Sequence, residues 1–415
     1  MYIFPGYVKF YQKETAIYLT SELLQNKVKI TDPALQREFL SMVEAGGCQG
    51  LCTALTQFLH EQEMLVDEDE INSAFKQAIG LLDENLLLTI MPTDACNFRC
   101  KYCYEAHEPQ WMSKDTIERI KEYIASQVLH FKYVVINWFG GEPTLCKDVV
   151  LEVSNFVQSL CSGTEIQYIS NMTTNGYLLD CNNLLEYYRA GISGYQITLD
   201  GWNHDCNRPH ISGKGTLDTI TKNLNAISSL PQTYQFHITL RHNILAGDKD
   251  FSWYDYLYKL FGKDSRFSIS VNPVNDWGGD SVQELSLVTK REAGLVASHI
   301  DYADKIGMKV IRGDSGPFSK ICYASYPYGF VFRSSGKIEK CTVCLDHPKN
   351  QIGYVDRDRG VIIDASANAL WTHTELKQEC YTCPDILRCC NLRCGRLTIV
   401  EGNTTARCHH IKRGL

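Results

Sequence analysis

The sequence predicts an α/β protein: a curved, partial (β/α)6 TIM-like barrel, preceded by a small winged-helix-like module and followed by a cysteine-rich domain. Three observations carry this. From Leu86 onward, apolar runs of strand length alternate with helical patterns, as a parallel sheet requires. Residues 1–85 read differently, as three short β-prone runs followed by three helical ones. Nine of the eighteen cysteines fall in the last 94 residues.

In the first 85 residues, Tyr7 to Phe10, Thr15 to Thr20 and Val28 to Ile30 are the predicted strands, and 33–45, 50–63 and 68–80 the helices. The barrel is expected over 86–285. Its strands are Leu86 to Met91, Val134 to Phe139, Ile166 to Ser170, Tyr195 to Leu199, Phe236 to Arg241 and Phe267 to Val271, with helical patterns such as Ser113 to Leu129 and Tyr254 to Phe261 between them. Ligands of such sheets sit beyond the carboxyl ends of the strands, which puts chemistry in the loop after the first. A bridging region is expected over 286–320. From 321 to 415 the chain reads as loop-rich, with too little apolar sequence for its own core, so that bound metal would supply folding energy.

The length of 415 residues exceeds what one core usually serves, so two or three domains are expected. A hydrophobic fraction of 44% and a net charge of −7 fit a soluble protein with no general basic surface, which argues against a nucleic-acid partner. The start, Met1-Tyr-Ile-Phe-Pro-Gly-Tyr-Val-Lys, lacks a basic segment before a long apolar one, and no window is apolar enough to span a bilayer. A cytoplasmic location without membrane attachment is expected. Cysteines in short-spaced clusters then read as metal ligands rather than disulfides. Cys146, Cys161, Cys181 and Cys206 read as core residues, and Cys48 and Cys52 as a structural pair.

Cys96-x3-Cys100-x2-Cys103 follows the first predicted barrel strand. A zinc site with three protein sulfurs normally completes itself with a fourth protein ligand, commonly from a second short-spaced pair, and none follows nearby. A [4Fe–4S] cluster held by three thiolates keeps one iron open to a small molecule. The spacing therefore favours iron–sulfur.

This triplet, with Tyr102 before its last cysteine, resembles the radical S-adenosylmethionine (SAM) superfamily. Phe139-Gly140-Gly141-Glu142-Pro143, after the second strand, is similar to that family's GGEP motif, which contacts the SAM amino group. The glycines let backbone approach a ligand, and Glu142 offers a carboxylate to an ammonium. Thr174-Asn175-Gly176 and Thr198-Leu199-Asp200-Gly201 with Arg208 resemble the segments that hold the ribose and carboxylate of SAM. Ser170, Asn175 and Arg208 carry over as SAM contacts, and Asp200 as a turn residue. The resemblance implies reductive cleavage of SAM at the open iron to a 5′-deoxyadenosyl radical that abstracts a substrate hydrogen, with flavodoxin or ferredoxin as the kind of reducing partner.

Cys322-x13-Gly336-x4-Cys341, then Cys380-x2-Cys383-x5-Cys389-Cys390-x3-Cys394, then Cys408, resembles the SPASM extension of peptide-modifying radical SAM enzymes. It implies two auxiliary [4Fe–4S] clusters, three in all. Cys322, Cys341 and Cys394 would bind one of them, while Cys380, Cys383, Cys408 and either Cys389 or Cys390 bind the other. Cys344 is the fourth ligand of the first, or leaves it with an open iron.

Three strands followed by three helices resemble a RiPP recognition element, which binds the leader of a ribosomally made precursor peptide as an added strand; Tyr7 to Ser21 would form that edge. These resemblances together imply a peptide maturase installing a crosslink, a cysteine thioether first and a carbon–carbon bond second. Two other readings compete. One is an anaerobic sulfatase-maturating enzyme that forms formylglycine, although Thr342 stands after Cys341 where that family has a catalytic Asp, and the nearest acid that follows is Asp346, five residues past the cysteine. The other is a non-catalytic electron carrier with three clusters.

Overall fold

The computed structural model describes residues 1–21, 26–279, 281–312, 321–372, 378–383, 386 and 394–402. It divides into two compact units. One comprises Met1–Asp83, Asp314–Pro327 and Ala369–Leu415, the other Glu84–Gly313 and Tyr328–Asn368.

In the first unit β1 (Val8–Lys13), β2 (Ala16–Ser21) and β3 (Lys27–Ile30) form an antiparallel sheet in that order. It is followed by α1 (Pro33–Glu44), α2 (Ala54–Glu61) and α3 (Glu68–Gly80). Helix starts match local chemistry: Asp32 caps α1 by accepting from the amides of Ala34 and Leu35 ahead of Pro33, and Thr53 with Thr56 forms a capping box on α2. Leu19, Phe39, Leu59 and Ile71 make the core, and Tyr381 and Ile386 from the tail complete it. The tail approaches so closely that the Gly6 amide donates to Tyr381 O at 2.8 Å, and a Cβ on Gly6 would lie 1.7 Å from Cys383 O. The core of this unit therefore includes tail residues as well as residues 1–83.

The second unit alternates β4 (Asn85–Ile90), α4 (Lys114–Gln127), β5 (Tyr133–Trp138), α5 (Lys147–Cys161), β6 (Gln167–Thr174), α6 (Cys181–Arg189) and β7 (Ile192–Thr198). It continues with α7 (His204–Asn207), α8 (Leu217–Ser228), β8 (His237–Ile244), α9 (Ser252–Phe261), β9 (Phe267–Pro273) and α10 (Ala293–Lys305). Strands β4 to β9 are all parallel and neighbour one another in sequence order, the stepwise winding of a (β/α) barrel. Leu86, Leu88, Val134, Ile136, Ile197 and Ile238 are fully buried, and Trp138 of β5 donates its indole N–H to Ser154 of α5 at 3.1 Å, fixing helix on sheet.

Beyond the expected strands, β10 (Gly329–Phe332) adds parallel to β4, and β11 (Lys337–Glu339), β12 (Gln351–Asp356) and β13 (Gly360–Ile363) continue antiparallel, before α11 (Ala365–Thr372). Residues 328–368, read from sequence as part of a loop-rich tail, thus extend the barrel sheet to ten strands. Three barrel strands also run past their expected ends, β6 to Thr174, β8 to Ile244 and β9 to Pro273.

Of the cysteines read as core, Cys146 and Cys161 are buried, but Cys181 is only half-buried and Cys206 is exposed, because they sit on the outer faces of α6 and α7. Among the described residues no helix is long and apolar enough to cross a membrane.

Candidate active site

A cavity of about 410 Å³ opens at the carboxyl ends of the parallel strands. Cys96, Cys100 and Cys103 line it from the loop after β4, and Gly140, Gly141 and Glu142 from the loop after β5. Thr174 and Asn175 reach it from the end of β6, Thr198 and Arg208 from the end of β7 and beyond, and Arg241 and Asn243 from the end of β8.

The glycines are there because two backbones meet. Gly141 N donates to Thr93 O at 3.1 Å and Glu142 N to Ala95 O at 3.0 Å, stitching this loop to the one that carries Cys96. A Cβ on Gly141 would lie 2.2 Å from Ala95 O and 2.5 Å from Asp94 O, and Gly140 has φ +111°. Neither neighbour is a flexible side-chain tip. Gly141→Ala is therefore expected to displace the cysteine loop and destabilise the protein by roughly 1–3 kcal/mol, read as a lower melting temperature together with loss of bound iron.

Glu142 is buried, and its carboxylate ties these loops to β6. Oε1 accepts from Thr144 N at 3.0 Å, Thr144 Oγ1 at 2.5 Å and Thr174 Oγ1 at 2.6 Å, while Oε2 accepts from Asn175 N at 2.7 Å. Burial raises its pKa, and these hydrogen bonds oppose the rise. Oε1 is filled, which leaves Oε2 with the acceptor capacity a ligand ammonium could use. Asn175 is fixed in turn, donating from Nδ2 to Asn97 Oδ1 at 2.7 Å.

Tyr102 anchors the opposite wall. Its hydroxyl donates to Asp200 Oδ2 and accepts from Arg208 Nη1 at 2.9 Å and Asn243 Nδ2 at 3.1 Å. Burial pushes Tyr102 well above the usual phenol range, and burial likewise raises Asp200, against the pull of Arg208. Asp200 thus works as a network member as well as a turn residue. Arg208 is 8% exposed, and among the described residues its buried Nε has no hydrogen-bond partner.

Two expected contacts lie off this cavity. Ser170 is fully buried inside β6 with its hydroxyl donating to Ile136 O at 3.3 Å, because the strand continues four residues further and delivers Thr173 and Thr174 instead. Pro143 begins the buried turn after Glu142. Sequence reasoning missed Glu105, Arg241 and Asn243; the signal for the last two was the polar stretch Arg241-His242-Asn243 that continues β8.

In the cysteine-rich region, Asn350 is fully buried and clamps the turn between Cys341 and Cys344, its Oδ1 accepting from Cys341 N at 2.9 Å and its Nδ2 donating to Cys341 O at 2.8 Å and Cys344 O at 3.0 Å. Val343 N points at Cys341 Sγ at 3.4 Å, as Phe98 N does at Cys96 Sγ at 3.4 Å, an arrangement that favours thiolate. Cys322 precedes the turn Tyr323–Ser325, Cys380 and Cys383 share a turn closed by Cys383 N donating to Cys380 O at 3.0 Å, and Cys394 is exposed. Cys389, Cys390 and Cys408 lie outside the described residues.

The fold and this cavity define a partial-barrel α/β enzyme with three thiols on one strand-end loop. Residues 90–250 match the sequence profile of the Radical SAM superfamily, so the chain carries a radical SAM domain and is an enzyme, against the electron-carrier reading. Among curated relatives, GTP 3′,8-cyclase of Psychromonas ingrahamii is 32% identical over 149 residues, 34% of this chain and 40% of the relative. The same-named enzyme of Microcystis aeruginosa is 34% identical over 133 residues, 31% of this chain and 38% of the relative. The match thus spans less than half of those enzymes. A solved structure, native anSMEcpe with bound AdoMet and Kp18Cys peptide, shares the fold with a TM-score of 0.52 at 17% identity, covering 74% of this chain and 88% of that one.

The superfamily uses a [4Fe–4S] cluster and SAM, and the residues present fit both. Three thiols line one cavity, and among the described residues no fourth cysteine does. Burial raises all three, Cys103 to about 12, so that they become thiolates only against a compensating metal centre. Among the described residues no group of three or more His, Cys, Asp or Glu could hold a metal ion. The unpartnered Arg208 Nε suits the carboxylate of SAM.

Proposed function

We propose that this chain is a radical SAM peptide maturase that installs an intramolecular crosslink in a ribosomally made precursor, a cysteine thioether first and a carbon–carbon bond second. The observation that carries the reading is the convergence of Cys96, Cys100, Cys103, Glu142 and Arg208 on one strand-end cavity in a chain that also holds the cysteine-rich region. A reduced cluster with bound SAM supplies a 5′-deoxyadenosyl radical for hydrogen abstraction.

The chain's own residues then bind, orient and exclude water. Cys96, Cys100 and Cys103 are the proposed cluster ligands, Glu142 Oε2 takes the ammonium of SAM, and Arg208 its carboxylate. Tyr102, tied to Asp200 and Asn243, holds Arg208 in place. Cys322, Cys341, Cys344, Cys380, Cys383, Cys389 or Cys390, Cys394 and Cys408 are the proposed ligands of two auxiliary clusters. Residues 1–85 are the proposed leader-binding module: β1 is an edge strand with Phe10 and Tyr11 exposed, which suits strand addition. The neighbour anSMEcpe carries a bound peptide, consistent with a peptide substrate here.

Two residues weigh against the sulfatase-maturase reading. Thr342, not an acid, lines the cavity beside Cys341. Asp346 is occupied by Arg333 at 3.3 Å and Lys337 at 2.7 Å. The test is anaerobic incubation of reduced enzyme with SAM and peptides encoded by short reading frames beside its gene. The expected product loses two hydrogen atoms per crosslink, with loss of an alkylatable thiol for a thioether. Formation of 5′-deoxyadenosine without any peptide change across those candidates would overturn the substrate assignment.

A further inference from the structure

A second cavity of about 300 Å³ shares Tyr104 and Glu105 with the reaction cavity. Its floor is Asp94 and Arg333, 6% and 5% exposed, and its rim carries the exposed Glu108 and Asp346. Ala106 and Leu345 give it apolar wall.

The charges here do not balance. Arg333 is met by three carboxylates, Asp94 at 3.2 Å, Glu339 at 3.2 Å and Asp346 at 3.3 Å. Lys337, the other lining cation, shares Asp346 at 2.7 Å. Glu108 adds a further acid, and Glu105, which burial raises to about 8, adds a carboxyl group to the same wall. Among the described residues three buried atoms of this cavity stand without hydrogen-bond partners, the acceptors Asp94 Oδ1 and Glu105 Oε2 and the donor Arg333 Nε. Asp94 Oδ2 is satisfied by Ser334 Oγ at 2.9 Å and by Arg333, so the side chain is held fast with its other oxygen unanswered. Buried acceptors of this kind call for a donor, and an acidic pocket calls for a charged one.

A bare metal ion is the wrong guest, because no group of three or more His, Cys, Asp or Glu among the described residues could hold one and Arg333 occupies the floor. An organic cation on an alkyl stem fits better. Its stem would lie along Leu345 and Ala106, with its head between Asp94 and Glu105.

We propose that this side cavity is a recognition subsite for an ammonium or guanidinium side chain of the substrate, held next to the reaction cavity. The proposal rests on the peptide-substrate reading and narrows it: the peptide would carry a Lys or Arg close to the carbon that reacts. The shared wall at Tyr104 and Glu105 is what makes the two events neighbours.

The test needs no peptide, so its failure is separable from failure of the maturase reading. Binding of n-butylguanidinium and of its neutral isostere n-butylurea to the full-length, cluster-loaded enzyme is measured by ligand-observed NMR, with and without S-adenosylhomocysteine. The cation is expected to bind at least about fivefold more tightly than the urea, and Glu108→Gln and Asp346→Asn each to weaken it by up to about fivefold. Glu108 is exposed, so that variant reads the pocket even if Asp346→Asn disturbs folding; matched melting curves verify this. Equal binding of the urea, or indifference to Glu108→Gln, would overturn the proposal. Competition by S-adenosylhomocysteine would overturn it in favour of the ammonium of SAM itself.

Discussion

Replacing Cys96, Cys100 and Cys103 together with alanine is expected to lower bound iron by about four per chain and to abolish SAM cleavage. The argument is electrostatic as well as geometric. Burial raises each thiol, and the carboxylates of Glu142, Asp200 and Glu105 add to it at one or another of the three. Only bound metal can compensate three thiolates in such a place, and loading should release protons accordingly. The fold should survive, because the loop is held by backbone bonds from Gly141 and Glu142 to Thr93 and Ala95 that the substitutions leave alone. Cys146→Ala is the matched control. That thiol is buried and raised to about 11, yet it lies off the cavity, so the variant should keep its iron. Cleavage of SAM by the triple variant would sink the assignment of the open cluster to this loop.

How much of this was legible in the sequence follows from what lines each strand. Parallel strands buried on both faces are apolar runs, so Leu86 to Met91 and Val134 to Phe139 announced β4 and β5 within a residue. The same rule fails at carboxyl ends, because there the barrel interior faces the cavity and turns polar. The apolar signal of β6 stops near Ser170 and that of β8 at Arg241, while the strands go on to Thr174 and Ile244. Of the residues past those points, Thr173, Thr174 and Asn243 line the cavity, and only Thr174 was marked by a motif. The cysteine and glycine motifs were legible because metal ligation and close backbone approach demand specific residues at fixed spacing. Short strands of three to six residues such as β11 and β12 offer too few positions for periodicity, so the extension of the barrel sheet was not. Nor was the packing of Tyr381 and Ile386 into the N-terminal core, a contact between positions some 300 residues apart that no local pattern encodes. One experimental consequence is that deleting residues 1–85 would strip the partner of the Cys380–Cys383 turn, so leader binding is better probed by substitutions on the exposed face of β1.

Lowering the pH from 7 to 5 is expected to destabilise the barrel by on the order of 4 kcal/mol through two histidines, His204 and His242. They are 0% and 1% exposed, and burial holds each near a pKa of about 3, helped by Arg208 at His204 and by His299 at His242. Asp248, 3.8 Å from His242 Nε2, does not outweigh that burial. An unfolded chain takes up these protons near pH 6.5, whereas the folded one refuses them until about 3. Between those values the unfolded state binds more protons, so stability falls as pH falls, by roughly 2 kcal/mol per histidine at pH 5. Through these two groups activity should fall only as far as folded molecules are lost. His204 Nδ1 accepts from Asp200 N at 3.2 Å, and Asp200 in turn holds Tyr102, which positions Arg208. The folded enzyme keeps His204 neutral until about pH 3, so this bond and the network that steadies the SAM-facing wall persist at pH 5 in the molecules that stay folded. Denaturant unfolding at pH 5, 6 and 7 reads the slope directly, and His242→Gln, keeping a polar side chain without the titration, should lower stability at pH 7 while removing about half of the pH dependence. Equal stability at pH 5 and 7 in the parent protein, or an undiminished slope in the variant, would show that these histidines do not set its acid limit.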